Sequence, residues 1–398
     1  MSYLTTSFGL KARQSVIISG LILVAAACIG KSLTRRLVGR RQALYEPSPG
    51  KTIIPTLSED EIKELPYPPD ALPGGRDVET PYGSVRVYEW GPEGGERVLF
   101  IHGISTPVVA LGDLAHEMVR RGYRVMMFDL FGRGYSDAPH DATYDERLYT
   151  TQILLVLASS TTPWMEKPGF HLVGYSLGGA LSVVFARYFP HHVQSLSLIA
   201  PGGLIRRYHI GWWSWLYYNS GLLPEFLVKP LVGRRIRPTA KAMGEPVNRD
   251  GDVNGGVEFD GAAVSKTQPH VAVAEVVAWQ VDYHQGFVPA FLSTIRNAPI
   301  YAPQEHWCVL SKILKALRSR RRIHANDAEP VAGLEAGKIL IILGKDDGLV
   351  ILNETVEDAY AVFGRDGVEF VTIEGGHEIA ITSSTSVAES IEGFWKLR

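Results

Sequence analysis

The chain is predicted to adopt an α/β fold, with a mostly parallel central sheet, helices on both faces and an inserted helical cap. Strand-like apolar runs alternate with helix-period segments over residues 84–201, which is typical of strand–helix–strand units. The alternation stops over residues 202–336, where helix-like stretches dominate, and it resumes over residues 337–398. A helical insertion between two parts of one sheet accounts for this order.

The strands are predicted from short apolar runs. The run over residues 97–101 is continuously apolar after Arg97, as expected for a central strand buried on both faces, whereas residues 84–90 alternate. In chain order, the predicted strands are 84–90, 97–101, 123–130, 170–173, 195–200, 338–343 and 368–373.

Helices are predicted where apolar residues recur every three to four positions. Between the strands these helices are 111–121, 147–159, 178–188, 353–363 and 385–397. Inside the insertion there is no periodic strand signal, and the predicted helices are 211–226, 271–283 and 305–318. The arginine-rich segment 318–328 is predicted to be a solvated surface turn, with binding to an anionic membrane surface as the alternative.

These elements divide the chain into four parts. Residues 1–45 form an N-terminal segment, and residues 46–83 form a linker and N-terminal extension. Residues 84–201 and 337–398 together form the α/β core, and residues 202–336 form the helical cap. A chain of 398 residues can form one large domain with an insertion or two smaller domains.

Composition narrows the class of function. Acidic and basic side chains nearly balance, at 42 and 40, so the chain as a whole carries no nucleic-acid footprint. The two cysteines, Cys28 and Cys308, leave the core without an internal disulfide, which favours a reducing compartment. The histidines, including His191 and His192, lack the spacing of metal ligands, so neither a metal nor a cofactor is predicted.

Residues 15–30 are uncharged and apolar and lie between basic flanks. This pattern predicts a membrane anchor, although a helix of this length spans roughly 24 Å against the approximately 30 Å of a hydrocarbon core. The more basic C-terminal flank, with Lys31, Arg35 and Arg36, predicts a single-pass protein whose folded domain lies in the cytosol. A cleaved signal peptide and a mitochondrial targeting sequence are the alternatives.

A Gly-x-Ser-x-Gly motif stands between a predicted strand and a predicted helix. A serine on so sharp a turn has a strained backbone and requires neighbours without bulk, here Gly174 and Gly178. The first free N–H groups of the helix then face the space beside the Ser176 hydroxyl, where they can stabilise an oxyanion. The motif therefore predicts a nucleophilic serine.

Two further loops follow the last two predicted strands. One carries Asp346 and Asp347, and the other carries His377. The C-terminal ends of parallel strands meet at one edge of an open sheet, so we expect these groups near Ser176. The histidine would take the serine proton, and a carboxylate would hold the imidazole in the required tautomer. The residues alone leave the choice between the two aspartates open.

From about Val85 to Trp395 the chain resembles the α/β-hydrolase superfamily, in its cap-bearing serine esterase and lipase branch, which includes membrane-anchored monoacylglycerol-lipase-like hydrolases. The matching residues are the His102-Gly103 loop, the elbow from Gly174 to Gly178, Asp347 and His377. The resemblance implies a catalytic triad of Ser176, Asp347 and His377. The family's spacing selects Asp347 over Asp346.

The resemblance also implies an oxyanion hole made by the backbone N–H groups of Ile104 and Leu177. The residues expected to shape the site without reacting are His102, Gly103, Gly174 and Gly178. Residues 129–137 match the family's Asp-x-x-Gly-x-Gly-x-Ser segment and are expected to form a structural turn. A serine at the elbow argues against the dehalogenase and epoxide-hydrolase members, which carry an aspartate there.

The first cap segment, with Trp212, Trp213 and Trp215, is aromatic on more than one face, which favours an apolar pocket or a lid. Packing of these side chains onto the core is the structural alternative. The predicted function is hydrolysis of hydrophobic or lipid-like carboxylic esters through an acyl-serine intermediate, with that ester and a membrane as partners. The alternatives are a tailoring hydrolase of hydrophobic secondary metabolites, acting on an ester, lactone, thioester or C–C bond, and a non-hydrolytic ligand-binding protein.

Overall fold

The structure is a computed structural model that describes residues 44–209, 218, 225–237, 257–302, 305–323, 334 and 337–396. Its strands, in chain order, are β1 (Tyr45–Glu46), β2 (Gly75–Thr80), β3 (Gly83–Trp90), β4 (Arg97–Ile101), β5 (Arg124–Phe128), β6 (Ala138–Pro139), β7 (Phe170–Tyr175), β8 (Val193–Ile199), β9 (Ala263–Ser265), β10 (Gln268–Ala272), β11 (Ile339–Gly344) and β12 (Val368–Ile373).

Its α-helices are α1 (Pro49–Thr52), α2 (Glu59–Lys63), α3 (Gly112–Arg120), α4 (Glu146–Ala158), α5 (Leu177–Tyr188), α6 (Glu225–Ile236), α7 (Val257–Gly261), α8 (Val273–Tyr283), α9 (Phe287–Asn297), α10 (Glu305–Ile323), α11 (Leu352–Phe363), α12 (Ile379–Thr382) and α13 (Ser384–Lys396).

The central sheet has eight strands in the order β12–β11–β8–β7–β4–β5–β3–β2. The strands from β12 to β5 pair in parallel, and β3 and β2 pair antiparallel at one edge. The prediction of a mostly parallel sheet combined with helices and a helical insertion is confirmed. Every residue of β7 and β11 is buried, which explains why β11 is a continuous apolar run and why β7 is apolar apart from His171.

The order of the strands creates a crevice at the carboxyl edge of the sheet. From β4 the chain crosses to β5 on one side, and it later returns through β7 on the other side of β4. The loops after β4 and β7 therefore leave in opposite directions, which is where open α/β sheets hold their sites. Ile101 of β4 lies opposite Gly174 of β7, so the His-Gly loop and the serine elbow start side by side.

The insertion differs from its prediction in several elements. It contains a short hairpin, β9–β10, where no strand was expected, and it contains helix α9, which was not predicted. The hairpin strands are three and five residues long, too short for an alternating pattern to stand out. Helix α10 continues to Ile323, so the surface turn predicted from residue 318 is wrong over residues 318–323.

Most of the predicted aromatic cap helix 211–226 lies outside the described residues. The division between core and cap at residues 202 and 336 stays a prediction. Among the described parts of the insertion, the helices α8 and α9 pack on the core with strongly apolar buried faces.

The segment expected to be a linker contains ordered structure. Strand β2 extends the central sheet, and β1 pairs with β6 in a small separate sheet. The buried carboxylate of Asp137 accepts hydrogen bonds from the N–H groups of Ser48 and Ser84 and from Lys51. Polar and proline-rich composition suggested a linker, but these long-range bonds fasten the segment to the core.

The structure corrects the predicted localisation. In the described part of the chain, no helix is long and apolar enough to cross a membrane. A helical span needs about 20 apolar residues, and the run over residues 15–30 is shorter. On this finding the prediction of a single-pass membrane protein with a cytosolic folded domain is wrong. A membrane partner held through an N-terminal anchor is not supported. Residues 15–30 themselves lie outside the described residues.

Candidate active site

Ser176 lies on a strained turn between β7 and α5. Its backbone has φ 53° and ψ −118°, a left-handed φ that is costly for a residue with a side chain. A Cβ atom on Gly178 would collide with the carbonyl group of Ile101, and one on Gly174 would collide with the carbonyl of Gly178. The two glycines are therefore required by close backbone approaches around the serine.

The structure brings Ser176, His377 and Asp347 into one hydrogen-bonded series. His377 Nε2 lies 3.0 Å from Ser176 Oγ, and His377 Nδ1 lies 2.8 Å from Asp347 Oδ2. Because the carboxylate can only accept, Nδ1 carries the proton and Nε2 is free to accept from the serine hydroxyl. This is the geometry that a general base needs to activate a hydroxyl nucleophile.

Asp347 is held in its charged form despite its burial. Burial by itself would raise the pKa of this carboxyl, but the His377 ring and the N–H groups of Leu349 and Val350 hold that pKa below its usual value. Both N–H groups donate to Oδ1 at 2.8 Å, which leaves Oδ2 for the imidazole. Asp346 is exposed, and its N–H donates to the Gly375 carbonyl. Of the two candidate aspartates, Asp347 contacts the histidine.

Two residues support the histidine loop that sequence reasoning did not single out. The Tyr175 hydroxyl donates to the carbonyl oxygen of His377 at 2.8 Å, and the Glu378 carboxylate accepts from the N–H of Gly376 at 2.7 Å. Tyr175 occupies the variable position before the serine in the elbow motif. The residue type at this position does not predict a contact with a loop some 200 positions away.

A small cavity adjoins the serine. It is lined by Gly103, Ile104, Ser105, Thr106, Tyr175, Ser176, Phe259 and His377, and its volume of about 10 Å³ suffices for one water molecule. Phe259, from the cap helix α7, has its ring 5.9 Å from the His377 ring. The cap thus covers the serine, a contact that composition did not predict because it depends on how α7 packs on the core.

The residues proposed for an oxyanion hole lie on the two loops of the crevice. Ile104 follows β4 and lines the cavity, and Leu177 is the first residue of α5, where backbone N–H groups are free of helical partners. Gly103 packs beside Ser176, since a Cβ atom on it would come within 3.4 Å of the serine Cβ.

His102 bridges two loops and does not contact the serine. Its Nε2 accepts from the N–H of Leu130 at 2.8 Å, so Nδ1 carries the proton and donates to the Gly103 carbonyl at 2.7 Å. That carbonyl belongs to the same peptide unit as the Ile104 N–H, and polarising the carbonyl makes this N–H a stronger donor. Burial lowers the pKa of His102 to about 3, so the ring is neutral.

Asp129 anchors the same loop from the other side. Its carboxylate accepts from the N–H groups of Val108 and Tyr135, each at 2.9 Å, and from the Tyr67 hydroxyl at 3.1 Å. Burial raises the pKa of Asp129 to about 6, while these donors favour its charged form. Residues 129–137 therefore support the site and hold no group in contact with Ser176 in the described structure.

A family model described as the alpha/beta hydrolase fold matches residues 96–384. The chain belongs to the α/β-hydrolase family. The match spans the strands β4 to β12, both loops of the crevice and the whole cap, which confirms the predicted fold and family. In the described part of this α/β-hydrolase, no cluster of three or more His, Cys, Asp or Glu side chains could hold a metal ion.

Several curated proteins are similar to part of this α/β-hydrolase. A 2-hydroxy-6-oxo-2,4-heptadienoate hydrolase of Pseudomonas putida is 32% identical over 112 residues, which are 28% of this chain and 39% of that protein. Lipase 1 of Psychrobacter immobilis is 32% identical over 122 residues, 30% of this chain and 37% of that protein. A probable lysophospholipase L2 of Haemophilus influenzae is 24% identical over 139 residues, 34% and 43% of the two chains. The chain thus spans less than half the length of these relatives.

Solved structures resemble this α/β-hydrolase over most of its length. A carboxylesterase of Nitrososphaera gargenis has a TM-score of 0.53 at 13% identity, covering 81% of this chain and 98% of that one. The naproxen esterase of Bacillus subtilis has a TM-score of 0.53 at 14% identity, covering 85% and 99% of the two chains. At such identities the likeness shows the fold alone.

Proposed function

We propose that this protein is a serine hydrolase that cleaves carboxylic esters of hydrophobic or lipid-like substrates. The observation that carries the proposal is the buried hydrogen-bonded series from Ser176 through His377 to Asp347. A neutral serine hydroxyl is a weak nucleophile, and a base at 3.0 Å that is itself oriented by a carboxylate removes this limitation.

In the first half-reaction, Ser176 Oγ attacks the ester carbonyl carbon while His377 Nε2 takes the hydroxyl proton. The negative charge that develops on the carbonyl oxygen is stabilised by the N–H groups of Ile104 and Leu177. The C–O bond to the alcohol then breaks, and the imidazolium returns its proton to the leaving oxygen. An acyl-Ser176 ester remains, and Asp347 stabilises the imidazolium throughout.

In the second half-reaction, water attacks the acyl-Ser176 carbonyl and gives its proton to His377. Collapse of the tetrahedral intermediate releases the carboxylic acid and restores the Ser176 hydroxyl. The cavity beside Ser176 has room for about one water molecule, which supports this step once the alcohol has left.

The lining of the cavity supports a hydrophobic substrate. Ile104, Tyr175 and Phe259 form an apolar and aromatic wall of the cavity, opposite a comparable number of polar lining residues, as a site that holds an ester carbonyl beside an apolar chain requires. A lipase and a probable lysophospholipase among the partial relatives support the same class. Because the cavity is smaller than any ester, Phe259 and the cap must move before a substrate reaches Ser176.

A fluorophosphonate probe tests this proposal directly. The full chain is labelled as wild type, as Ser176→Ala and as Ser386→Ala, a control at an exposed serine. Labelling of wild type and the control but not of Ser176→Ala, with turnover of long-chain p-nitrophenyl esters, is the expected result. Labelling with turnover of short-chain esters only would replace the lipid-like substrate with a small ester. Absence of labelling in a folded protein would reject the serine mechanism.

A further inference from the structure

Arg133 is a fully buried guanidinium whose hydrogen-bond partners are all uncharged. Its Nε donates to the Ile104 carbonyl at 3.2 Å, and Nη1 donates to the Phe131 carbonyl at 3.0 Å and to the Tyr149 hydroxyl at 2.9 Å. Its Nη2 donates to the Thr294 hydroxyl at 2.9 Å. None of these acceptors is a carboxylate, so no hydrogen-bonded counter-ion neutralises the charge among the described residues.

A buried cation without a carboxylate partner is rare, because removing a charge from water is costly unless an opposite charge compensates. Two carboxylates lie in the same neighbourhood, but each is bonded to another cation, Asp137 to Lys51 and Asp145 to Arg147. Burial, with a smaller contribution from the positive charge of Arg133, lowers the pKa of His102 to about 3 and that of His284 to about 4. Burial also raises the pKa of Tyr149, which keeps its hydroxyl neutral. Among the described residues, the guanidinium therefore exerts a positive field that no directly bonded anion cancels.

This field acts on the loop that would hold the oxyanion. Arg133 contacts the carbonyl of Ile104, whose own N–H is one of the two proposed oxyanion donors. Residues 103–106 line the cavity beside Ser176, with Arg133 bonded to the loop from outside that cavity lining. A negative charge that forms in the cavity is attracted across the loop 103–106, through buried protein in which charges interact more strongly than in water.

The position of the loop does not depend on Arg133 alone. The side chain of Gln280 donates to the Ser105 carbonyl at 2.9 Å, and the N–H of Val108 donates to Asp129 at 2.9 Å. His102 fixes the start of the loop through Leu130 and Gly103. With these anchors present, the distinctive contribution left to the guanidinium is its charge.

We propose that Arg133 is a positioning residue of the oxyanion hole, whose buried charge acts through the loop 103–106 to stabilise the tetrahedral oxyanion. Its bond to Thr294 joins the guanidinium to the cap helix α9. The inference rests on the proposed serine hydrolase function and deepens it.

The test compares charge-removing and charge-keeping variants in the full chain. Arg133→Met and Arg133→Gln remove the charge, and Arg133→Lys keeps it. Thr294→Val also keeps the charge but removes the cap hydroxyl that bonds both Arg133 and Tyr149. The readouts are kcat, KM and the Ki of an alkyl trifluoromethyl ketone, which adds to the serine and carries a negative oxygen. A purely structural residue would not change Ki and kcat by matching factors while KM stayed constant.

We expect the neutral variants to lose about 10-fold to 100-fold in kcat, somewhat less than removal of a direct oxyanion donor. The Ki should rise by the same factor, and KM should stay within about twofold. Arg133→Lys and Thr294→Val should keep kcat and Ki within about fivefold. A folded neutral variant with unchanged kcat and Ki overturns the inference, and so does a folded Arg133→Lys that loses as much as the neutral variants.

If neither neutral variant folds, Arg133→Lys still tests the inference. A folded lysine variant whose Ki rises more than 10-fold contradicts an electrostatic role. Fluorophosphonate labelling of wild type separates the two hypotheses. An unlabelled wild-type Ser176 rejects the proposed function together with this inference, whereas a labelled wild type with insensitive neutral variants rejects this inference alone.

Discussion

At the scale of single residues, the site consists of groups whose protonation is set by burial and by direct partners. Asp347 keeps its charge because three donors contact it, whereas His102 is neutral because it is buried without an anion. Each protonation state suits the role of its residue: the charged carboxylate of Asp347 orients the imidazole of His377, and the neutral ring of His102 bridges two loops. Substitutions of these residues and measurements against pH therefore test the chemistry of the site.

Ser176→Ala and His377→Ala are each expected to abolish ester turnover almost as fully as the double variant. The two side chains act as one unit in the same proton transfer, so each single loss of roughly 10⁶ in kcat already removes the mechanism. Steady-state turnover of a p-nitrophenyl ester checks this, with circular dichroism as the control for folding. Losses that multiply in the double variant would contradict the proposed mechanism.

Asp347→Asn is expected to lower kcat about 10⁴-fold with the fold intact, because an amide can present an N–H to His377 Nδ1 and stabilise the wrong tautomer. Asp346→Asn, at an exposed neighbouring position, is the matched control and should change kcat less than about threefold. The measurement is kcat with thermal unfolding for each variant. A larger loss in Asp346→Asn than in Asp347→Asn would reassign the acid.

The neutral buried His102 predicts that stability falls in acid. The pKa of this ring is about 3 in the folded protein and near 6.5 when unfolded, so between these pH values the unfolded chain binds the extra proton and is favoured. From pH 7 to pH 5 this amounts to about 2 kcal/mol. In urea unfolding, His102→Gln should reduce the loss by that amount, and the exposed control His191→Gln should not. An unchanged pH dependence in His102→Gln would refute the assignment.

At the scale of elements, the strand–turn–helix unit of β7 and α5 is set by how closely its backbone approaches its neighbours. Gly178 lies against the carbonyl groups of Ile101 and His102, so β4 and α5 can come together only where a side chain is missing. The elbow geometry thus follows from packing between elements as much as from the turn itself.

Gly178→Ala is expected to destabilise the protein by about 3 kcal/mol, because the added methyl group meets rigid backbone. Gly393→Ala in helix α13 is the matched control, since a Cβ atom there meets nothing within 4 Å and alanine favours a helix by about 0.5–1 kcal/mol. Chemical denaturation measures both. Equal effects of the two substitutions would show that the close approach does not constrain the elbow.

At the scale of the whole molecule, buried polar bonds join the described cap helices to the core. Gln280 of α8 donates to the Ser105 carbonyl and accepts from the N–H of Gly134, and His284 bonds the carbonyl of Ser136. Such bonds are costly to break, because each lost partner leaves a buried polar group unsatisfied. The cap segment α8–α9 is therefore expected to unfold together with the core.

Gln280→Leu should lower the free energy of unfolding by about 3 kcal/mol, since it orphans one buried N–H and one buried carbonyl. Tryptophan fluorescence and far-ultraviolet circular dichroism should still give coincident transitions, as for one cooperative unit. The exposed Glu258→Gln in α7 is the control. Separate cap and core transitions in wild type would contradict this picture.

The sequence by itself determined the fold class, the serine elbow and the order in which serine, acid and histidine occur. These depend on local patterns: continuous apolar runs for β4, β7 and β11, and a motif in which Ser176 needs small neighbours. The seven predicted strands all lie in the central sheet, and the fully buried ones, such as β11, gave the clearest apolar runs. The catalytic roles of Ser176, Asp347 and His377 stay predictions.

Only the tertiary structure decided the features that depend on distant segments. The residues alone left the choice between Asp346 and Asp347 open, and only the family's spacing favoured Asp347. In the folded chain, the packing of the β11 and β12 loops turns Asp347 toward His377. The hairpin β9–β10, the ordered extension and the cover of Phe259 over the cavity were missed for the same reason. Arg133 lies in a segment expected to be a structural turn. Only the folded structure shows that its guanidinium is buried and has no carboxylate among its hydrogen-bond partners. The burial of a side chain and the identity of its hydrogen-bond partners depend on segments far away in the sequence, so the local sequence does not predict them.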